Sequence, residues 1–240
     1  MRKSALIAIL AFWAFVLLPA QVVADCMVDI ENYINQMKDI GSPEDGQTYK
    51  LDYSVKTNYS PKAGVPNQTV RFVAYITNRI MVAESDVVSI YADTLDSFMA
   101  LHKDKIIHQS KGEKNQLAEN DALKMAQQQL LIIKSCTPVK CEKQTIEGVL
   151  YHSSRFLLSK EMSDELHIKS IDVLYNIDQQ RIYHVIINYN PGQPVITQQI
   201  TYNLIDYNNT ETLKKSARSY IFSGSRLNSK YRDYTLINNK

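Results

Sequence analysis

The chain has 240 residues, with 27 Lys and Arg against 25 Asp and Glu. That length and balance suit one domain with a tail, and exclude the basic excess that a nucleic-acid partner demands. Seven Gly leave little material for phosphate-cradling loops, whereas fifteen Tyr beside many Val, Ile and Thr favour a pleated sheet.

Arg2 and Lys3 open the chain, Ala5 to Leu18 is an unbroken apolar run, and Val22-Val23-Ala24 offers small residues where a signal peptidase reads. This order predicts a signal peptide over residues 1–24, cleaved before Asp25. The run is shorter than the ~20 residues of a bilayer span. Asp25 stands before Cys26 where an acylated lipoprotein would carry Gly, Ala or Ser. Cleavage removes two cations and no acid, so the side-chain charge of the mature chain balances. The expectation is a periplasmic or secreted protein with no transmembrane span after cleavage.

From Met27 to Lys38, Ile30, Ile34 and Met37 recur at helical spacing, and Gly41-Ser42-Pro43 ends that helix. Tyr49, Leu51, Tyr53, Val55 and Tyr59 then alternate with polar residues as a long strand. Val70–Thr77, Ile80–Ala83, Val87–Tyr91, Ser97–Leu101 and Lys105–Gln109 follow as short strands of a meander. Leu117, Leu123, Ala126, Leu130 and Ile133 share one helical face and predict a helical insertion near 116–135. Cys136-Thr-Pro-Val-Lys-Cys141 reads as a short loop closed by a disulfide, with Cys26 left over. Strands resume over Thr145–Tyr151, Arg155–Leu158, Glu165–Tyr175, Arg181–Tyr189 and Val195–Tyr207, with turns at Ile177–Gln180 and Asn190-Pro191-Gly192-Gln193. Leu213, Ala217, Tyr220 and Ile221 suggest a last helix.

The fold class is therefore mainly β with some helix: one strongly curved antiparallel sheet of about eleven strands, an unclosed barrel. Residues 25–209 form this half-barrel and residues 210–240 a helix and a basic, aromatic tail.

That element order, with Tyr75-Ile76-Thr77-Asn78-Arg79-Ile80-Met81-Val82-Ala83-Glu84-Ser85 running into Val87–Asp93, resembles the LolA/LolB lipoprotein-carrier family. The resemblance implies a curved, unclosed barrel with helices filling its mouth. It also implies an exposed Asp followed by an aromatic residue, parts that Asp93 and Phe98 match. Carrier members of the family present an Arg that gates the cavity, for which Arg71 and Arg79 are both candidates.

Catalytic patterns are missing. His102, His108, His152, His167 and His184 are scattered, with no i, i+4 pair for a metal. His184, between Tyr183 and Val185, reads as a structural histidine. Glu161, Asp164 and Glu165 read as a solvated loop, and Ser223-Gly224-Ser225 lacks the setting of a nucleophile elbow. No enzyme, metal or cofactor is expected.

Two binding functions remain. The first is a carrier or sensor of an acyl chain or lipidated protein. Its concave face would draw on Leu51, Tyr53, Phe72, Ile90, Phe98, Ile200 and Tyr202, which could equally form an ordinary core. The second is an envelope interaction or assembly module that binds a protein partner or an anionic membrane surface. It would use a sheet edge or the tail cations Lys214, Lys215, Arg218, Arg226, Lys230 and Arg232, interleaved with Tyr220, Phe222, Tyr231 and Tyr234.

Overall fold

The computed structural model describes residues 27–36, 39–112 and 136–238. The expected signal peptide, Cys26 and the expected helix near 116–135 lie outside the described residues.

Helix α1 (residues 27–36) precedes a six-strand meander. Its strands are β1 (Thr48–Tyr59), β2 (Gln68–Ile76), β3 (Ile80–Glu84), β4 (Val88–Asp93), β5 (Asp96–Leu101) and β6 (Ile106–Lys111). A second meander holds β7 (Thr137–Ile146), β8 (Val149–Leu157), the short helix α2 (Lys160–Leu166), β9 (Ile168–Asn176), β10 (Arg181–Tyr189) and β11 (Val195–Asn209). The C-terminal segment adds α3 (Arg218–Ile221), the two-residue strands β12 (Phe222–Ser223) and β13 (Arg226–Leu227), and β14 (Thr235–Asn238).

Twelve strands make one open mixed sheet, in the order β14-β6-β5-β4-β3-β2-β1-β11-β10-β9-β8-β7. The two meanders meet at a seam where β1 and β11 run antiparallel, from Thr48↔Asn209 to Tyr59↔Val195. An extra residue on β11, Asn203, bulges between Asp52↔Leu204 and Tyr53↔Tyr202. The sheet has one strand more than the sequence suggests because the tail returns to it. β14 lies parallel to β6, which also makes the sheet mixed.

The two faces carry separate cores. On one, which we call the helix face, Ile30 and Ile34 of α1 pack against Phe156, Ile171, Val173, Tyr175 and Ile182 of the second meander. The 3.6-residue period of α1 places Ile30 and Ile34 on one side, and both are buried. Asp29 of α1 pairs with Nδ1 of His152 on β8, fixing the helix to the sheet. On the other, the tail face, Ile80, Val82, Tyr91, Phe98, Ala100 and Ile107 of the first meander lie beneath Ala217, Ile221 and Tyr231.

Three expectations are corrected here. The Cys136–Cys141 span is the start of a strand rather than a loop. Five residues at ~3.3 Å each separate the Cα atoms by roughly 16 Å, whereas a disulfide needs about 4.4–6.8 Å. Cys136 is instead a buried thiol whose pKa burial raises. The stretch read as two pieces, Thr145–Tyr151 and Arg155–Leu158, is the end of β7, a two-residue turn and β8. Glu147 and Gly148, at φ 50 and 81, make that turn between Ile146 and Val149. Finally, Glu161, Asp164 and Glu165 lie in α2, capped by the Ser159 hydroxyl, which accepts from the N–H of Met162.

Candidate functional site

Residues paired across a ladder point to the same face, and residues two apart along a strand share it. The register therefore places every candidate. Leu51 pairs with Ala74, Ala74 with Ala83, Ala83 with Ile90, Ile90 with Met99, and Met99 with His108. A neighbouring row runs from Tyr202 to Tyr53 to Phe72, and a third joins Ile200 to Val55 and Val70. All belong to the helix face, since Ile200 also pairs with Val185, which packs against the α1 core. So six of the seven expected concave-face residues, Leu51, Tyr53, Phe72, Ile90, Ile200 and Tyr202, share one surface across the seam.

Phe98 does not join them. It pairs with Tyr91 and lies on the tail face, fully buried, with the Phe222 ring 5.9 Å away edge-on. The turn between Asp93 and Asp96 sets Ile90 opposite Met99, one residue further along, and a single step in register reverses every side chain. Met99 is the residue that takes this place on the helix face, and it is 43% exposed. The alternation of Met99 and Leu101 against Phe98 and Ala100 carried that information, but two apolar sets left the choice open.

Charge is partitioned sharply between the faces. The charged residues of β1–β4 are Lys50, Asp52, Lys56, Arg71, Glu84 and Asp93, and the register sets all six on the tail face. The helix face of these four strands is therefore uncharged. Its aromatic residues stack: the Tyr53 and Phe72 rings are 5.3 Å apart and nearly parallel, with Tyr202 6.4 Å from Tyr53. Burial raises the pKa of Tyr53. Beside them Tyr49 and Tyr207 meet edge-on at 5.1 Å, and burial pushes Tyr207 up to about 12. Leu51, Tyr53, Phe72, Ile90, Ile200 and Tyr202 are all half-buried.

The residues drawn from the family resemblance sit elsewhere. Asp93 is buried rather than exposed: its Oδ1 accepts from the N–H groups of Leu95 and Asp96, and its Oδ2 from the N–H of Ala217 at 2.7 Å. Arg71 donates to Asp52 on the tail face, and Arg79 to Asp45 in a turn. Neither arginine stands on the uncharged face.

The tail is docked. Tyr231 is fully buried and shares a 2.8 Å hydrogen bond with Tyr91, while Lys230 donates to Glu84 at 2.7 Å. His102 bridges Ser89 and the Tyr234 hydroxyl, both at 2.9 Å. The Lys214 ammonium donates to the Ser219 carbonyl and lies over the Tyr220 ring, and the Arg218 guanidinium lies over Phe222. All six tail cations, Lys214, Lys215, Arg218, Arg226, Lys230 and Arg232, are nonetheless exposed. Among the described residues, cavities lie away from the uncharged face, and three of them are well formed. The first, about 370 Å³, lies between α1 and the turn after β9, with Asp29, Asn32 and Gln180 in its wall. The second, about 690 Å³, lies between residues 40–47 and Asn208–Thr210, and the third, about 230 Å³, on the tail face of β7–β10. Among the described residues no group of His, Cys, Asp and Glu is arranged to hold a metal, and no helix is long and apolar enough to cross a membrane.

No family model and no curated protein matches this sequence. Solved structures similar to the chain include LprF from Mycobacterium bovis, at 10% identity and a TM-score of 0.46, covering 79% of this chain and 98% of that one. The lipoprotein LppX of Mycobacterium tuberculosis gives 14% and 0.38, covering 75% and 98%. A LolA superfamily protein from Nitrosomonas europaea gives 7% and 0.32, covering 75% and 93%.

Proposed function

We propose that the chain is an exported, non-enzymatic binding protein that takes an acyl chain, free or attached to a protein, on the uncharged helix face. The observation that supports this reading is the partition of charge across β1–β4. Alternation alone would leave an apolar face to be covered by the protein's own core. Here Leu51, Tyr53, Phe72 and Ile90 stay half-buried and Met99 is 43% exposed, on a face that carries no charge on β1–β4. Apolar surface left in water costs about 25 cal/mol per Å², and a ligand tail would remove that cost.

The test is direct. The exported protein, extracted into organic solvent, should release fatty acid or phospholipid detectable by mass spectrometry, and the emptied protein should take up a fluorescent fatty acid. Phe72→Asp places a charge in the middle of the face. Uptake should be lost while the melting temperature falls only slightly, because Phe72 is not sealed from water. A loss of several kcal/mol in stability, with no uptake by the wild type, would identify the face as ordinary core and end the reading.

A further inference from the structure

Leu95, in the turn between β4 and β5, is 74% exposed, more than any other large apolar residue among those described. Its backbone is held at both ends. The Leu95 N–H donates to Asp93 Oδ1 at 2.8 Å, and the Leu95 carbonyl accepts from the N–H of Gly112 at 3.0 Å. One exposed leucine is ordinary, but its neighbours are cationic. The other oxygen of Asp93 accepts from the N–H of Ala217 at 2.7 Å, so the Leu95 and Ala217 amides meet at one carboxylate. Lys215 and Arg218 stand on either side of Ala217 in the chain. Lys111 reaches the same place from the end of β6, opposite Asp96 and next to Gly112. All three cations are exposed. The two carboxylates of the turn are withdrawn: Asp93 and Asp96 are each 8% exposed, and Asp96 accepts from Gln109 inside the sheet.

We infer that this end of the sheet docks on an anionic lipid bilayer. Leu95 enters the boundary between head groups and acyl chains, and Lys111, Lys215 and Arg218 meet the lipid phosphates. The inference is independent of the acyl-binding reading, since it concerns the surface on which the protein rests and not what the helix face holds. The distribution of charge supports it. Residues 210–240 carry seven cations and two acids, so the remainder of the charge-balanced mature chain is net acidic. Such a separation turns the cationic end toward a negative surface. The inward turn of Tyr231 and the rest of the docked strap holds these cations on the outside of a folded surface. An acidic protein would answer the cations alone. A bilayer answers the cations and also takes Leu95 out of water.

The experiment sediments the mature protein with vesicles of phosphatidylcholine, alone or mixed with phosphatidylglycerol, at low and high salt. The mixed vesicles should carry the protein down, less so at high salt, and the neutral vesicles should not. Lys111→Ala combined with Lys215→Ala should weaken binding to the mixed vesicles roughly twentyfold. Leu95→Ser should weaken it about tenfold. These side chains are exposed, and unchanged melting temperatures would confirm that the variants fold. A third variant reports position directly. The only Trp of the sequence, Trp13, lies in the expected signal peptide, so Leu95→Trp gives the mature chain a single fluorophore. Its emission should shift to the blue with the mixed vesicles and not with the neutral ones. Equal binding to both vesicles, binding to neither, or variants that bind like the wild type would overturn the inference. Binding to soluble polyglutamate as tight as to the mixed vesicles, with no effect of Leu95→Ser, would point to an acidic protein and overturn it too.

Discussion

Asp52 is covered on the tail face yet stays ionised. Arg71 donates to it through Nε and Nη2, and Asn203 of the β11 bulge adds a third hydrogen bond. The Arg71 hydrogen bond is the main reason its pKa falls below the usual carboxylate range. A carboxyl group depressed in the folded state stabilises the fold at pH values above its unfolded pKa, and that contribution is lost as pH falls through the folded value. Asp52→Asn should therefore cost roughly 1 kcal/mol near neutral pH and nothing in strong acid. The figure is small because Arg71 is mostly in solvent. Urea midpoints at the two pH values check it, and an equal loss at both would remove the carboxylate from the explanation. Gly112 gives a steric case. A Cβ there would lie 2.1 Å from the Asp93 carbonyl oxygen and 2.7 Å from the Asp96 nitrogen, both backbone atoms held by the turn. Gly112→Ala should lower stability by at least about 2 kcal/mol, read from its denaturation midpoint. Cys136, buried and with its pKa raised, should resist thiol reagents in the native chain and react once the chain is denatured without reductant.

At the scale of elements, the C-terminal segment behaves as a strap across the first meander. Tyr231 fills the centre of its contact, stacking on His102 and meeting Tyr91 and Tyr234 edge-on. Tyr231→Ala should cost roughly 3–5 kcal/mol, measured by thermal or chemical unfolding. A near-neutral result would mean that the strap is held by β14 and α3 alone. The sequence announced the aromatic residues of this segment but could not say that they turn inward, because Tyr220, Phe222, Tyr231 and Tyr234 follow no single period. The strands were legible where one face is polar, as in β1 with Lys50, Asp52 and Lys56 opposite Leu51 and Tyr53. They were illegible where both faces are apolar, which is why Phe98 was assigned to the wrong side. Most of β7, up to Gln144, escaped notice because its residues are mostly exposed on both faces, so burial leaves no alternating pattern to read.

Over the whole molecule, the sheet has two outer edges, β14 and β7. Pro138, Lys140, Glu142 and Lys143 interrupt β7, and such residues discourage a further strand from adding there. The middle of the sheet has the opposite character. The seam joins Thr48 to Asn209 and Tyr53 to Tyr202, residues far apart in the chain, whereas each meander pairs strands that are near neighbours in sequence. Local pairings carry a small loop-closure entropy, and the seam carries a large one. The proposed binding surface straddles that seam, with Leu51, Tyr53 and Phe72 from one half and Ile200 and Tyr202 from the other. Neither half alone presents the complete surface. A ligand held by both halves would bind the folded chain and not a chain whose ends have yet to meet. By mass action its presence would then raise the unfolding temperature in proportion to the logarithm of its concentration, and cargo would act as a stitch across the join as well as a passenger.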